Sequence, residues 1–538
     1  IAPVERVLPA PSLEPAPAVA PVPAPAADAP RASRRARWTL VAAGVAAVAA
    51  IAAGIAAWTQ PEEAVASTGR RMIAVLPFEN LSGDPDQRYF SQGITEELIA
   101  QLGALNPDAL GVIARTTVAR YGDGDVSVRD IGRTLGVQYV LEGSVRRSGP
   151  RVRITAQLID AGRQTQLWTE TYDDEVSDVL LTQRDVAMRV AEALAMSVLG
   201  TRSVPRMRSP SAYEAYLRGR YLRQQGTSES LARAREYFER AIAEDPDYAA
   251  AYAGLADVHH VLGGPGWESG PPREILPRAL QSAERAIQLD PQLADGYAVR
   301  GLTRLWLEWD AHGAEDDLRR AIALNASLAQ AHQYLSTALL VQRRTEEAIA
   351  AAQRAVQLDP LSPTAGTTLG YRLYYARRYD EALKQFGRVI ELAPAFASAW
   401  LGRAQAHREL GKGAESFEAL TRAAGMTRGR SYIQAHLAYG EARRGRHDEA
   451  RRILAGLQAL SATEYVAPFN FALVAAGLGD RDGVRAHLER AAADRSGWMV
   501  FVPFEPEFEP FRSGLADLVP GLRQRAPGTG PPVVSRAR

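Results

Sequence analysis

LGYRLYYARRYDEALKQFGRVIELAPAFASAW, residues 369–400, belongs to a pattern that recurs at a fixed interval. Asp245-Pro246, Asp290-Pro291, Asn325-Ala326, Asp359-Pro360 and Ala393-Pro394 close successive units. After the first, the steps between them are about 34 residues each. The first step, from Asp245 to Asp290, is longer because it holds the insertion GGPGWESGPPR, Gly263–Arg273. Further on, Gly411, Gly445 and Gly479 recur at that same step, at the turn expected inside each unit. A period of this length with paired helices reads as a solenoid. One hairpin cannot bury its apolar face alone, so units stack into a superhelix. About eight units are expected over 211–496, with the first, second and seventh irregular.

This pattern resembles the tetratricopeptide (TPR) repeat. In the fifth unit Leu369, Gly370, Ala382, Phe386 and Pro394 fall on the repeat's core, close-approach and terminating positions, and Trp400 takes the large aromatic position of the sixth. Gly370 and Ala382 let the two helices of a hairpin touch, while Phe386 and Trp400 fill the gap to the next unit. The resemblance implies a protein or peptide partner bound in the concave groove. Tyr371, Tyr374, Tyr375 and Tyr379 form an aromatic cluster, read mostly as packing and otherwise as a partner-contact surface. The long loop Gly263–Arg273 is a candidate for function. FVPFEPEFEPF, Phe501–Phe511, alternates Phe, Pro and Glu and is expected to be an extended cap over the last hairpin. The cap is assigned to 497–523, and 524–538 to a disordered tail.

Residues 70–200 read as a small α/β domain. Met72–Phe78 and Leu110–Ala114 are expected strands. Tyr89–Leu105 and Val128–Leu135 carry apolar residues at helical spacing. Val137–Arg146 and Val152–Ile159 flank Ser148-Gly149-Pro150, which suggests a hairpin. Val152, Ile154, Ala156 and Leu158 alternate with Arg151, Arg153, Thr155 and Gln157. A strand around Trp168, over Leu167–Tyr172, and a helix over Val176–Val198 complete the order βαβαβββα, a mixed sheet with helices against it.

Several motifs of this region occur together: IAVLPFENLSGDPDQRYFSQGITEELI, VIARTTV and LGVQYVLEGSVRRSGPRVRITAQLIDAGRQTQLWTETYD. Over about 71–195 they resemble the TolB amino-terminal-like domain of bacterial membrane-anchored regulators, where it precedes TPR repeats. Pro77, Phe78, Asn80, Gly83, Asp84, Gly93, Glu96, Glu97, Leu141, Glu142, Gly143, Ser144 and Trp168 keep the family pattern. The resemblance implies an interaction or sensing domain and brings no catalytic set. Asp84, Asp86, Glu96 and Glu97 are the acids from which a metal or acid–base cluster could be built. They read instead as a Gly-Asp-Pro turn and as acids in the first turns of a helix, where negative charge suits the dipole and Thr95 shares in capping. Arg146, Arg147, Arg151 and Arg153 make a basic hairpin, a solvated face or a contact for an anion or lipid headgroup.

WTLVAAGVAAVAAIAAGIAAW, Trp38–Trp58, is uncharged over 21 residues, long enough as a helix to cross a bilayer. Arg31, Arg34, Arg35 and Arg37 precede it and Glu62 and Glu63 follow. By the positive-inside rule residues 1–37 lie in the cytoplasm and 60–538 outside it, a single-pass inner-membrane protein with Trp38 and Trp58 at the interfaces. A secretory signal cleaved near Ala64-Val65-Ala66 fits less well, because the run is longer than a signal core and a long tail precedes it. Ala43, Ala47, Ala50 and Gly54 make a small-residue face through which the anchor would form a homodimer. Residues 8–30 are a Pro/Ala-rich spacer, and a spacer implies a cytoplasmic output domain on its far side.

The fold class expected is therefore multidomain: one transmembrane helix, a small α/β domain, then an all-α TPR solenoid. The formal charge of +1 advertises no nucleic-acid binding. The absence of cysteine excludes disulfides, thiol catalysis and cysteine-bound metals. Only Lys384 and Lys412 are lysines, a sign of codon bias. His259-His260 is a weak metal hint. Gly411-Lys412 is followed by Gly, so no phosphate loop is present, and no metalloprotease, esterase or kinase motif occurs. No catalytic, metal or cofactor residue is assigned. The expected function is a non-enzymatic, membrane-anchored scaffold or sensor of a bacterial signalling regulator. The alternative is a fragment of a winged-helix transcriptional regulator or an adenylate cyclase whose output domain lies upstream of residue 1.

Overall fold

The computed structural model describes residues 70–122, 126–194, 209–267, 269–427, 430–515 and 518, all within one compact unit. The chain is mostly helical, with a small sheet in front of a helical array.

The sheet runs β3-β1-β4-β5-β6, with β2 also on β4. β1 (Arg71–Val75) pairs in parallel with β3 (Leu110–Val112) and with β4 (Tyr139–Ser148). The expected strand Met72–Phe78 stops at Val75 because Pro77 has no N–H to give the ladder. The chain rejoins β4 as β2 (Glu79–Asn80). From the Val75–Leu141 pair to the Glu79–Ser144 pair it uses one residue more than β4 does, which makes a bulge. β4, β5 (Arg151–Asp160) and β6 (Thr165–Glu175) are antiparallel. Gly149, at φ 60°, and Pro150 make a two-residue turn between β4 and β5.

Helices cover both faces. α1 (Arg88–Leu105) and α4 (Val179–Ala193) bury Phe90, Ile94, Leu98, Val186 and Val190 against Val152, Ile154 and Leu158. On the other face α2 (Arg115–Val118) and α3 (Val128–Leu135) bury Val118, Ile131 and Leu135 against Ala74, Leu76 and Val140.

The array consists, among the described residues, of eight helical hairpins. They are α5 (Pro210–Gln225) with α6 (Ser228–Glu244), α7 (Ala249–Gly263) with α8 (Pro272–Leu289), and α9 (Ala294–Leu307) with α10 (Ala311–Leu324). Next come α11 (Ala329–Val341) with α12 (Thr345–Leu358), α13 (Pro363–Tyr375) with α14 (Tyr379–Leu392), and α15 (Ala397–Glu409) with α16 (Gly413–Met426). The last are α17 (Ser431–Arg443) with α18 (His447–Leu460) and α19 (Pro468–Leu478) with α20 (Arg481–Ala493).

A wedge repeats along the array. A Cβ on Gly370 or on Gly402 would lie 2.4 Å from the Phe386 ring, so this ring needs a glycine on its own hairpin and another on the next. Phe238 sits in the same way between Gly219 and Gly254. The hairpin turns share a second device. Trp309, Arg343, Arg377, Gly411, Gly445 and Gly479 all have positive φ and follow one another at the repeat period. The glycines show half of this series in the sequence; Trp309, Arg343 and Arg377 hide the other half.

The transmembrane element of the expected fold class is corrected. Among the described residues no helix is long and apolar enough to cross a membrane. The 18-residue helices α1 and α8 carry Arg88, Glu96 and Glu97, and Arg273, Glu274, Arg278, Glu284 and Arg285, charges that a bilayer core does not accept. The inner-membrane localisation falls with it. Trp38–Trp58 and its flanking Arg34, Arg35 and Arg37, the Pro/Ala spacer, the small-residue dimer face and the tail 524–538 lie outside the described residues.

The left-handed turn yields a paired expectation. Gly445→Ala is expected to lower stability by about 1–2 kcal/mol, the cost of a Cβ in that conformation. Gly456→Ala, in the exposed interior of α18 with open space around it, is expected to raise stability by about 0.5–1 kcal/mol. Urea midpoints at unchanged slope measure both.

Candidate functional site

The first helices of the hairpins, α5, α7, α9 and so on to α19, form the inner face of the superhelix. Two parts of the chain itself lie on that face: α1 from one side and the segment after α20 from the other.

α1 docks on the first hairpins through Glu96 and Glu97. Glu96 bonds Arg115 at 2.5 Å and Arg220 of α5 at 2.6 Å, and also reaches Gln224. Glu97 bonds Arg220 at 2.6 Å and accepts from the Tyr216 hydroxyl at 3.0 Å. Burial pushes the Glu97 carboxyl above its usual range against the pull of Arg220. The two acids stand in the third turn of α1, so the helix-dipole role expected for them does not apply. Nor does Thr95 cap the helix: its hydroxyl accepts from Phe78 N–H and donates to Ser91 C=O. Close approach completes the seat. A Cβ at Gly93 would lie 2.5 Å from Leu217, and one at Gly103 2.5 Å from the Asn325 side chain.

β3, an edge strand, is covered by the array as well, which shields its free hydrogen-bonding groups. Val112 N–H donates to Ser327 Oγ at 3.0 Å, and Ala114 N–H to Leu358 C=O at 2.7 Å. Thr117 Oγ1 donates to Asp359 Oδ1 at 2.7 Å and accepts from Leu361 N–H at 2.9 Å. These are turns between hairpins, and Asn325-Ala326-Ser327 departs from the Asp-Pro found at its neighbours. That departure is the sequence signal of the docking site, and sequence reasoning passed over it.

The remaining motif positions build the sheet unit. Asn80 donates to Asp84 C=O and accepts from Ser82 N–H, while Gly83 takes φ 76° and Asp84 caps the turn through Asp86 N–H. Gly143 lies beneath the Phe78 ring, where a Cβ would come within 2.7 Å. Glu142 pairs with Gln157, and Trp168 packs half-buried on the sheet core. The basic hairpin is largely neutralised: Arg151 and Arg153 share Asp173, and Arg147 bonds Glu214. His260 meets Thr303 Oγ1 at 3.0 Å, and burial pushes both His259 and His260 down to about 4. Among the described residues no group of three or more His, Asp or Glu has the geometry to hold a metal.

The C-terminal segment departs from its expected form. FVPFEPEFEPF does pack on the last hairpin, Phe508 against Phe469 and Phe511 under Arg481, but it is not extended. Instead a 3-10 helix, Pro506–Gly514, follows a 3-10 turn at Gly497–Val500. Pro506 stands at the helix start, where no N–H is missed. The segment turns back along the inner face. Phe501 meets Trp306 of α9 and stacks on Tyr375 of α13, and Trp498 stacks on Tyr432 of α17 at 4.2 Å and on Phe469 of α19. Contacts from the third to the eighth hairpin converge on one segment, so the face is concave. The loop Gly263–Arg273 reaches the last two hairpins and the start of this segment: Arg273 bonds Asp494 at 2.9 Å, Trp267 lies under Arg430, and Pro265 abuts Gly497.

Two carboxylates go into the groove. Glu505 and Glu507 are each 1% exposed. Glu507 bonds Arg408 of α15 at 2.7 Å, and Tyr375 donates to Glu505 at 2.6 Å. Burial and the neighbouring Glu507 push Glu505 well up, while Arg408 holds Glu507 down against its burial. His436, pushed to about 4 by burial, is neutral, so its 3.7 Å approach to Glu507 is not an ion pair. Both its ring nitrogens and Gln405 Oε1 are buried without partners, each at a cost of about 1–3 kcal/mol. Fully buried Met499, Val500 and Phe508 oppose that cost with about 2 kcal/mol each. Of the tyrosine cluster, Tyr375 touches Phe501, Phe504 and Glu505; Tyr374 is buried beneath, against Tyr371 and Tyr379.

Comparison with known proteins follows this division. Residues 69–188 match the family model for the second domain of HilA/YgeH-like transcriptional regulators, over the stretch on which the TolB-like resemblance rests. Residues 310–363 and 367–433 match tetratricopeptide repeats. These matches cover α10 to α16, and the hairpins on either side of them are built in the same way. A protein of Rhizobium meliloti (strain 1021) named putative adenylate cyclase 3 is 36% identical over 239 residues, 44% of this chain and 40% of its own length. The chain thus spans less than half of that relative. Among solved structures, YrrB, a TPR protein with an unusual peptide-binding site, is 25% identical over 36% of this chain and 93% of its own, with a TM-score of 0.27. The human IFIT1 dimer is 16% identical over 64% of this chain and 77% of its own, with a TM-score of 0.43.

The buried acids set a pH expectation. Glu505, raised in the folded state, contributes stability that is complete below about pH 4.5 and is lost as pH rises through its folded value. Glu507, depressed, works oppositely and loses its contribution only as pH falls below about 4.5. Glu505→Gln is therefore expected to raise the melting temperature at pH 8 and to flatten its decline above pH 5. A lower melting temperature at pH 8 contradicts the assignment.

Proposed function

We propose that this chain is the partner-binding part of a regulator in which the sheet unit responds to the state of the TPR array. TPR arrays act as protein-binding scaffolds, and this much the repeat match supports directly. The regulatory role is supported by the HilA/YgeH-like description over residues 69–188 and by the name of the Rhizobium relative. The sensing role implied by the TolB-like resemblance fits the same reading. The output, transcription control or nucleotide cyclisation, belongs to the whole regulator, and the chain itself acts without catalysis.

The observation that carries this reading is the Glu96–Glu97–Arg220 network. It fixes α1 on the inner face, so a partner that changes the curvature of the first hairpins moves α1 and with it the sheet. Residues 70–200 and 211–496 then work as two coupled parts. Glu96, Glu97 and Gly93 are the coupling residues, and Tyr375 of the tyrosine cluster belongs to the contact surface.

Calorimetry tests the coupling. The described unit is expected to melt with the sheet and first hairpins in one transition. Arg220→Met leaves buried Glu97 without its arginine and Glu96 with Arg115 alone, at a cost of about 3–5 kcal/mol, and is expected to split off a lower transition. A single transition shifted by less than 1 °C contradicts the coupling. Incubation of the chain with ATP and Mn²⁺ is expected to yield no cyclic AMP, and its formation contradicts the non-catalytic reading.

A further inference from the structure

The inner face from α9 to α19 is filled by the chain's own C-terminal segment, and the array shows how that seat is built. Three turn residues carry side chains in a left-handed conformation where later turns use glycine: Trp309, Arg343 and Arg377. Each of the three meets the C-terminal region. Arg495 lies over Trp309 at 4.7 Å, Arg343 lies over the Phe504 ring at 5.4 Å, and Arg377 approaches Glu509 at 3.8 Å. Arg408 of the next unit receives Glu507. Side chains stand at these three turns, while Gly411, Gly445 and Gly479 hold the later ones, where Arg481, beside Gly479, also lies over Phe511 at 5.4 Å. Strain kept at such positions points to a recognition role.

What the arginines recognise is acidic and aromatic. Phe504, Glu505, Glu507, Phe508 and Glu509 present rings and carboxylates in alternation. Tyr375, Gln405, Arg408 and His436, from three successive first helices, surround the two buried acids. The fit is incomplete. His436 and Gln405 keep unpartnered atoms, and a cavity of about 60 Å³ remains beside Phe504 and Pro506, lined also by Tyr374, Tyr379 and Arg377. Residues 497–502 are the apolar plug of the segment, whereas Phe504, Glu509 and Pro510 are partly or fully exposed.

We infer that the groove walled by Arg343, Arg377, Tyr375, Arg408 and His436 is a receptor for acidic peptides bearing alternating phenylalanines, and that residues 503–512 occupy it as an exchangeable internal ligand. A partner with the same alternation displaces the segment and takes over the arginines. This rests on the scaffold reading above and deepens it by naming the class of partner. The plug at 497–502 stays in place during exchange and keeps the segment tethered beside its seat.

A labelled synthetic peptide with the sequence of residues 503–512 tests the exchange. Glu507→Lys sets a cation against Arg408 and removes the internal competitor without altering the groove wall. The peptide is expected to bind this variant at least ten-fold more tightly than the parent chain. Adding Arg408→Glu to Glu507→Lys restores the internal pair and is expected to return peptide affinity to the parent level. Equal affinity for parent and folded variant overturns the inference. Hydrogen exchange on the parent chain decides the matter without any variant. Amides of 503–512 are expected to exchange at least a hundred-fold faster than those of α15, and equal rates overturn the exchangeable seat. Either failure leaves the coupling through Arg220 standing, since that network lies on other hairpins.

Discussion

A stacked array of hairpins cannot leave its inner face bare. Each first helix must present side chains toward the axis of the superhelix, and in this chain those side chains include Tyr216, Trp306, Tyr375, Tyr432 and Phe469. Water gains nothing by meeting them. The face is closed from both ends of the sequence: α1 covers the first hairpins with an ionic seat, and the segment after α20 covers the later ones with an aromatic seat. The sheet unit, the repeat array and the C-terminal segment form one compact body for this reason.

The two seats differ in physical character, and the difference has consequences. At α1 each carboxylate meets an arginine, and glycines allow the backbone close to Leu217 and Asn325. A paired, closely packed interface of this kind is rigid. At the C-terminal segment one carboxylate is paired, the other is pushed toward its protonated form, and a neutral histidine lies buried without partners. Motion is favoured where polar groups are least well matched, because water in the open state offers what the closed state lacks.

The repeat was legible from its period, because solenoid packing forces the same residue types to the same places in every unit. The strands and the β4–β5 hairpin were legible from alternation and from Gly149-Pro150. Long-range partners were not. Glu96 and Glu97 look like ordinary helix acids until Arg220, distant in sequence, is placed beside them. In the C-terminal segment, Phe, Pro and Glu in alternation exclude an α-helix, but a 3-10 helix admits Pro506 at its start. The membrane reading of residues 38–58 came from hydropathy, and no described helix supports it.

Departures from a repeat carry more information than the repeat itself. Asn325-Ala326-Ser327, where Asp-Pro is the habit, is the turn that receives β3. The insertion Gly263–Arg273 is the loop that reaches the last hairpin. Trp309, Arg343 and Arg377, where glycine suits the backbone better, are the turns that meet the C-terminal region. In each case the local rule is broken at a point of tertiary contact, and the local cost is offset by that contact. A solenoid repeats its internal packing in every unit, so a position that breaks the pattern answers to something outside the unit. In this chain the three kinds of departure mark the sheet unit, the contact between the second and last hairpins and the occupant of the groove.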